Sequence, residues 1–175
     1  MALKLIVTST RDSRVGDAIA RRIAPLIAEG AGREVEVLDL VDVNLPLSNE
    51  PQMPSLGNYQ HATTKAWAET VASADGFVFL TPEYNGFFTA AAKNAVDTVY
   101  AEWGGKPAAI VGYGFGGANR AVPLLAQLLT NVNLEVAESS VQMPFGDALG
   151  EDGLDVDALV APHVDALRAL GAQLA

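Results

Sequence analysis

Short apolar runs alternate along the chain with longer stretches in which apolar residues recur at helical spacing. Leu3–Val7, Val35–Leu40, Gly76–Leu80, Ala108–Gly112 and Leu134–Ala137 are the predicted strands. Three of them, LKLIV, GFVFL and AAIVG, are almost continuously apolar, as strands buried on both faces of a parallel sheet must be. The predicted helices begin with Val15–Ala28, which puts Ile19, Ile23, Leu26 and Ile27 on one face. His61–Ala74, Thr89–Val99, Ala118–Thr130 and Asp155–Leu174 follow, with Pro162 interrupting or restarting the last. Five strands alternating with five helices imply right-handed βαβ units and a doubly wound α/β sandwich. No linker, repeat or low-complexity tract divides the chain, so residues 1–175 are expected to form one domain.

A sandwich of this kind is flavodoxin-like or Rossmann-like, and its ligands sit beyond the carboxyl ends of the strands, near the point where strand order reverses. The loops that follow the strands therefore carry the chemistry. After the first strand come Thr8-Ser9-Thr10-Arg11-Asp12-Ser13-Arg14-Val15-Gly16. Hydroxyls, backbone N–H groups and two arginines converge there on a helix N-terminus, which already favours an anion. The Walker spacing G-x-x-x-x-G-K-[ST] is absent, which weighs against nucleoside triphosphate hydrolysis. After the third strand, Pro82 stiffens the exit, Asn85-Gly86 permits positive φ, and Tyr84, Phe87 and Phe88 supply flat apolar surface. A planar heteroaromatic ring wants that mixture of stacking wall and edge hydrogen bonds.

After the fourth strand, Gly112, Gly114 and Gly117 satisfy G-x-G-x-x-G, with Glu135 and Glu138 about 20 residues on, where a ribose-binding acid is expected. The pattern stands at the fourth strand, however, while a better phosphate loop occupies the first. A glycine ledge that lets a ring approach the backbone is the preferred reading. The three loops together describe one ligand, with a phosphate at one end and a polar-edged planar ring at the other. Flavin mononucleotide has that shape.

Composition narrows the picture. With 21 acidic residues against 11 basic ones the net charge is −10, which argues against nucleic acid or an anionic membrane as partner. Eight of the acids and one base lie from Glu135 onward, so an acidic shell is expected around a basic pocket built on Arg11, Arg14 and Arg120. There is no cysteine, which excludes thiolate catalysis and Cys-ligated metal and leaves any redox chemistry to a bound cofactor. No metal site is expected, because His61 and His163 are far apart and no acidic cluster has ligand spacing. Ser9 and Ser13 lack a G-x-S-x-G elbow, which disfavours a hydrolase. With no signal or anchor pattern, a cytoplasmic protein is expected. Trp67 reads as core, and the Pro-, Asn- and Ser-containing segment Val41–Tyr59 as a flank of the pocket.

Thr8-Ser9-x-Arg11-x-x-Arg14-x-Gly16, Pro82-Glu83-Tyr84-Asn85, Lys93-Asn94-Ala95-x-Asp97 and Gly114-x-Gly116-Gly117-x-x-Arg120-Ala121 resemble the NAD(P)H-dependent FMN reductase family. Bacterial quinone, azo-dye and chromate reductases are of that kind, and the resemblance runs from about residue 3 to about residue 138. It implies a flavodoxin-like three-layer sandwich with a five-stranded parallel sheet of order 2-1-3-4-5. It implies FMN as cofactor and NAD(P)H as co-substrate. Electrons would pass by a ping-pong mechanism to a quinone, free flavin, azo compound or metal oxyanion.

By that resemblance Ser9, Arg11, Arg14, Val15 and Gly16 hold the phosphate, Pro82, Glu83, Tyr84, Asn85 and Gly86 line the ribityl chain and ring edge, and Gly114, Gly116 and Gly117 face the ring. No side chain is expected to act as acid or base. Lys93, Asn94 and Asp97 are expected to brace the third helix, Thr89–Val99, and not to touch substrate. The family commonly forms homodimers or homotetramers whose second subunit completes the pocket, with Tyr100, Trp103, Phe87 and Phe88 as aromatics suited to such an interface or to the core. Phe87-Phe88-Thr89-Ala90 stands where the family often carries Ser-x-Pro-Gly, a departure that bears on the acceptor. The alternatives are a flavodoxin-like FMN carrier that does not oxidise nicotinamide, and a non-catalytic nucleotide-binding protein using Gly112–Gly117.

Overall fold

The alternation of apolar runs and amphipathic stretches does become alternating strands and helices. In the computed structural model, which describes residues 2–175, the chain runs β1 (Leu3–Val7), α1 (Gly16–Ala31), β2 (Val35–Asp39), the single-turn α2 (Leu40–Val43), α3 (Ala62–Ala72), β3 (Gly76–Pro82), α4 (Ala90–Thr98) and β4 (Pro107–Gly114). It continues with α5 (Ala121–Asn131), β5 (Glu135–Val136), β6 (Val141–Pro144), β7 (Leu149–Gly150), β8 (Gly153–Leu154), α6 (Val156–Val160) and α7 (Val164–Ala172). The parallel sheet has the expected order β2-β1-β3-β4-β5.

The fifth position differs from the single strand read from the sequence. Glu135 and Val136 pair with Pro107 and Ala108, the chain then leaves the sheet, and Val141–Pro144 rejoin β4 opposite Val111–Gly114. The sheet therefore has six strands. Residues 138–140 are Glu-Ser-Ser, which have little to gain from burial, and β6 alternates buried and exposed residues as an edge strand does. A short antiparallel hairpin, β7–β8, was also not anticipated. Pro162 falls in a 3-10 turn, Ala161–His163, that divides α6 from α7, as its missing N–H and fixed φ require.

Every residue of β1 and β3 is buried. Leu3, Leu5, Val7, Val78 and Leu80 face α1, α6 and α7, while Ile6, Phe77, Phe79 and Ile110 face α3, α4 and α5. Trp67 and Trp103, both buried, meet with ring centroids 6.1 Å apart at 65°. Their indole N–H groups donate to Ala95 O (2.8 Å) and Val96 O (3.1 Å), so each pins the backbone of α4 while filling the core. Trp103 is thus core and not an interface residue. On the other face α1 and α7 approach until their backbones nearly touch. A Cβ on Gly30 would stand 1.9 Å from Arg168 O, and one on Gly171 2.2 Å from Ile27 O. Only glycine permits that approach, which clamps the C-terminal helix onto the one that opens the site.

Candidate functional site

Parallel pairing aligns the strand ends, with Val7 beside Leu80 and Pro82 beside Tyr113. The loops after β1, β3 and β4 therefore open on one side and enclose a cleft of about 740 Å3, within the range of small-molecule sites. Of the residues singled out from the sequence, Arg11, Arg14, Val15, Pro82, Glu83, Tyr84, Asn85, Gly114 and Gly116 line it. Ser9, Gly16, Gly86 and Gly117 are not among the residues that line it. The segment Val41–Tyr59 does not flank this cleft. Val41, Asn44, Leu45 and Leu47 instead line a separate hollow of about 310 Å3, and Asn94 holds the segment through Pro46 O and Ser48 N. Glu135 and Glu138 are also absent from the lining, so neither stands in this cleft as the ribose-binding acid of a G-x-G-x-x-G site.

The loop after β1 is fixed at its root. Thr8 donates through N and Oγ1 to Leu80 O, and Thr8 O accepts from Thr89 Oγ1, the side chain that caps α4. Ser9 is then forced inward, 1% exposed, and its Oγ, whose one polar neighbour is the Tyr113 hydroxyl, makes no hydrogen bond of good geometry. Gly16 opens α1 directly above it. A Cβ there would meet Ser9 Oγ at 2.4 Å and the Tyr113 hydroxyl at 2.6 Å, so the close approach demands glycine. No side chain caps α1. Arg14 donates to Asp39 Oδ2 at 2.6 Å, yet its Nε is buried without a partner. Two buried polar atoms left unsatisfied at an uncapped helix N-terminus form a place that an anionic oxygen would complete.

The loop after β3 turns on Asn85 and Gly86, both at positive φ (52° and 85°), while Tyr84 and Phe87 exchange backbone hydrogen bonds of 2.8 and 3.1 Å. This is the Asn-Gly hairpin turn that left-handed backbone at both central residues makes possible. Glu83 ties the turn to the next loop. Its Oε1 accepts from Arg120 Nε (2.8 Å) and a terminal guanidinium nitrogen (2.6 Å), and its Oε2 accepts from the backbone N–H groups of Arg120 and Ala121 at the start of α5. Burial pushes this carboxyl up, but the Arg120 side chain and the two N–H groups outweigh it, and it is held below the ordinary glutamate value. Glu83 thus braces two loops with its carboxylate.

The basic pocket read from the sequence is correspondingly smaller. Arg14 is spent on Asp39 and Arg120 on Glu83, while Arg11 lies over the Tyr84 ring, 4.7 Å from its centroid, with no carboxylate among the described residues paired to it. Lys93 pairs with Asp97 on the surface of α4 and stays clear of the cleft, as expected.

Several lining residues were not singled out in advance. Tyr113 was visible within the glycine-rich loop. Burial raises its phenol to about 12, so it stays protonated across the working pH range. Phe115 and Asn119 lie in that same loop. Phe145, Leu149 and Leu154 come from the far end of the chain, and no local signal marks them. Phe87 and Phe88, by contrast, do not line the cleft: Phe87 points outward, 58% exposed, and Phe88 packs on the α3–α5 core. Among the described residues, no three His, Cys, Asp or Glu side chains come together as a metal site, and no helix is long and apolar enough to cross a membrane.

The Glu83 brace has a definite acid dependence. Its folded pKa is depressed, so its contribution is present above the ordinary glutamate range and lost as pH falls through the lower folded value. The amide shifts of Arg120 and Ala121, followed by NMR during acid titration, should turn at a midpoint below that of an ordinary glutamate. A midpoint at or above it would contradict the brace.

Comparison with known proteins agrees with this geometry. A protein from Nectria sp, "NAD(P)H-dependent FMN reductase ntnL", is 34% identical over 186 residues, covering 96% of this chain and 92% of that one. A "2-hydroxy-1,4-benzoquinone reductase" from Burkholderia sp is 31% identical over 128 residues, covering 70% and 66%. In fold the chain is similar to the flavoenzyme NAD(P)H:(acceptor) oxidoreductase FerB from Paracoccus denitrificans, with a TM-score of 0.70 and 24% identity over 98% of this chain and 97% of that one. The family model described as NADPH-dependent FMN reductase matches residues 1–147. The fold is flavodoxin-like, and the chain belongs to the NADPH-dependent FMN reductase family, flavin-dependent oxidoreductases with FMN as cofactor and NAD(P)H as co-substrate.

Proposed function

We propose that this chain is one FMN-binding domain that takes hydride from NAD(P)H and delivers two electrons to a small planar acceptor, a quinone being the favoured class. The balance is NAD(P)H + H+ + quinone → NAD(P)+ + hydroquinone. The observation that carries the reading is the pair of buried, unpartnered atoms, Ser9 Oγ and Arg14 Nε, at the uncapped start of α1. Arg14 lines the cleft together with the loops after β3 and β4, and Ser9 Oγ stands against Gly16 at the same helix start.

In this reading Ser9, Arg11, Arg14, Val15 and Gly16 hold the phosphate, where the helix dipole adds to the arginine charge. Pro82–Gly86 line the ribityl chain and ring edge, and Gly114, Gly116 and Gly117 offer backbone to the ring without side-chain bulk. Bound FMN supplies the redox chemistry, accepting hydride and returning electrons. The chain supplies position, excludes water with Tyr84 and Tyr113, and offers backbone N–H groups to negative charge. No side chain has to move a proton. Nicotinamide and acceptor would share this one cleft and so would take turns in it, which would make the kinetics ping-pong. Leu47, Met53 and Leu56, at 79%, 68% and 62% exposure in the 44–61 segment, support assembly into a homodimer or homotetramer.

Steady-state kinetics with FMN, both nicotinamides and a quinone should give parallel double-reciprocal lines; intersecting lines would refute alternating occupancy. Ser9→Ala should act in opposite senses on the two forms of the protein. Without FMN, removing an unsatisfied buried hydroxyl leaves stability unchanged or raises it by up to about 1–3 kcal/mol. The FMN dissociation constant, read by flavin fluorescence, should rise about tenfold or more. Equal FMN affinity in the variant would remove Ser9 from the phosphate site. Light scattering of the holoprotein should report two or four copies, and a monomer would refute the assembly.

A further inference from the structure

One wall of the cleft is built more elaborately than a cofactor phosphate and ring edge require. Phe115 is 85% exposed, yet it lines the cleft. A lone exposed phenylalanine needs no explanation, but this one is presented by its loop and continued inward by other rings. Gly114 precedes it at φ 136° and Gly117 follows at φ 63°, backbone that a side chain resists. Its ring meets Phe145 edge-on, with centroids 5.6 Å apart at 71°, and Phe145 lies 6.3 Å from Tyr113 at the buried floor. Phe145 N donates to Gly114 O at 2.9 Å, which locks the row to the ring loop. Leu149 and Leu154, paired across β7–β8, extend the same wall in aliphatic surface. That hairpin lies beyond residues 1–147, the stretch the family model matches.

We propose that Phe115, continued by Phe145, Leu149 and Leu154, is the wall that selects the electron acceptor, favouring small planar apolar rings over compact hydrated oxidants. The inference rests on the reductase reading above and assigns the acceptor preference of that same site. It also moves that preference away from Phe87 and Phe88, where the sequence had pointed. A quinone entering the cleft covers Phe115 and gains edge or face contact with it. A hydrated anion such as ferricyanide has no ring to offer and keeps its water. NAD(P)H brings a large polar tail that can anchor it elsewhere, whereas a simple quinone has only its ring. Loss of the wall therefore falls most heavily on the quinone.

The test uses FMN-saturated holoenzyme under anaerobic conditions with saturating NADPH. Benzoquinone, which takes two electrons and two protons to hydroquinone, is compared with ferricyanide, of which two are reduced to ferrocyanide per NADPH. Phe115→Ala should lower the ratio of kcat/KM for benzoquinone to that for ferricyanide by about tenfold or more, as loss of an apolar pocket contact does. Phe115→Trp should keep the wild-type ratio, and Leu149→Ala should lower it in the same direction by less. An unchanged ratio in Phe115→Ala, or equal loss toward both acceptors, would overturn the assignment. Failure of the underlying reductase reading looks different, since the wild-type holoprotein would then oxidise NADPH with neither acceptor.

Discussion

Parallel pairing makes every strand of this sheet end at the same edge, and the site depends on that constraint. Val7 pairs with Leu80 and Pro82 with Tyr113, so the loops after β1, β3 and β4 must leave together. Thr8 turns the alignment into a fixed distance by bonding Leu80 O from both its N and Oγ1 and by accepting from Thr89. The apolar runs LKLIV and GFVFL make the alignment costly to undo, because a slip would carry buried side chains out of both layers at once. The cleft is thus a by-product of the core, and its loops can differ in chemistry without disturbing the frame.

Charge at the site is distributed with economy. Two of the three cleft arginines are engaged by carboxylates, Arg14 by Asp39 and Arg120 by Glu83, and serve as braces. Arg11 is left over Tyr84 as an uncommitted cation, and the helix dipole of α1 adds positive potential beside it. This suits a reductase that must release and rebind a nicotinamide while keeping its FMN.

Much of this was legible from residue order. The sandwich, Trp67 in the core, the break at Pro162 and the loops that line the cleft follow from periodicity, proline stereochemistry and motifs whose residues lie within nine positions of one another, and the sheet order from the family resemblance those motifs carry. The fifth strand was legible only in its first half, because Val141–Pro144 alternate buried and exposed residues and Glu138–Ser140 interrupt the run. Phe87 and Phe88 stayed open between the pocket, an interface and the core for a similar reason. An aromatic pair after a turn looks the same in sequence whether it faces a ligand, the solvent or the core, and here one faces solvent and the other the core.

By itself the sequence determined the fold class through local patterning, and the family and its cofactor through short motifs that resemble known reductases. The charge balance was read correctly in sign but not in disposition. Only the tertiary structure decided that Glu83 serves as a brace, that Arg14 is already paired, and that Phe145, Leu149 and Leu154 stand in the cleft beside Phe115. These facts join residues 25 to 40 positions apart across neighbouring strands, as in Arg14–Asp39 and Glu83–Arg120, or bring the far end of the chain back over its beginning. Such contacts are set by which strand ends become neighbours, a property of the assembled sheet that no stretch of sequence carries alone.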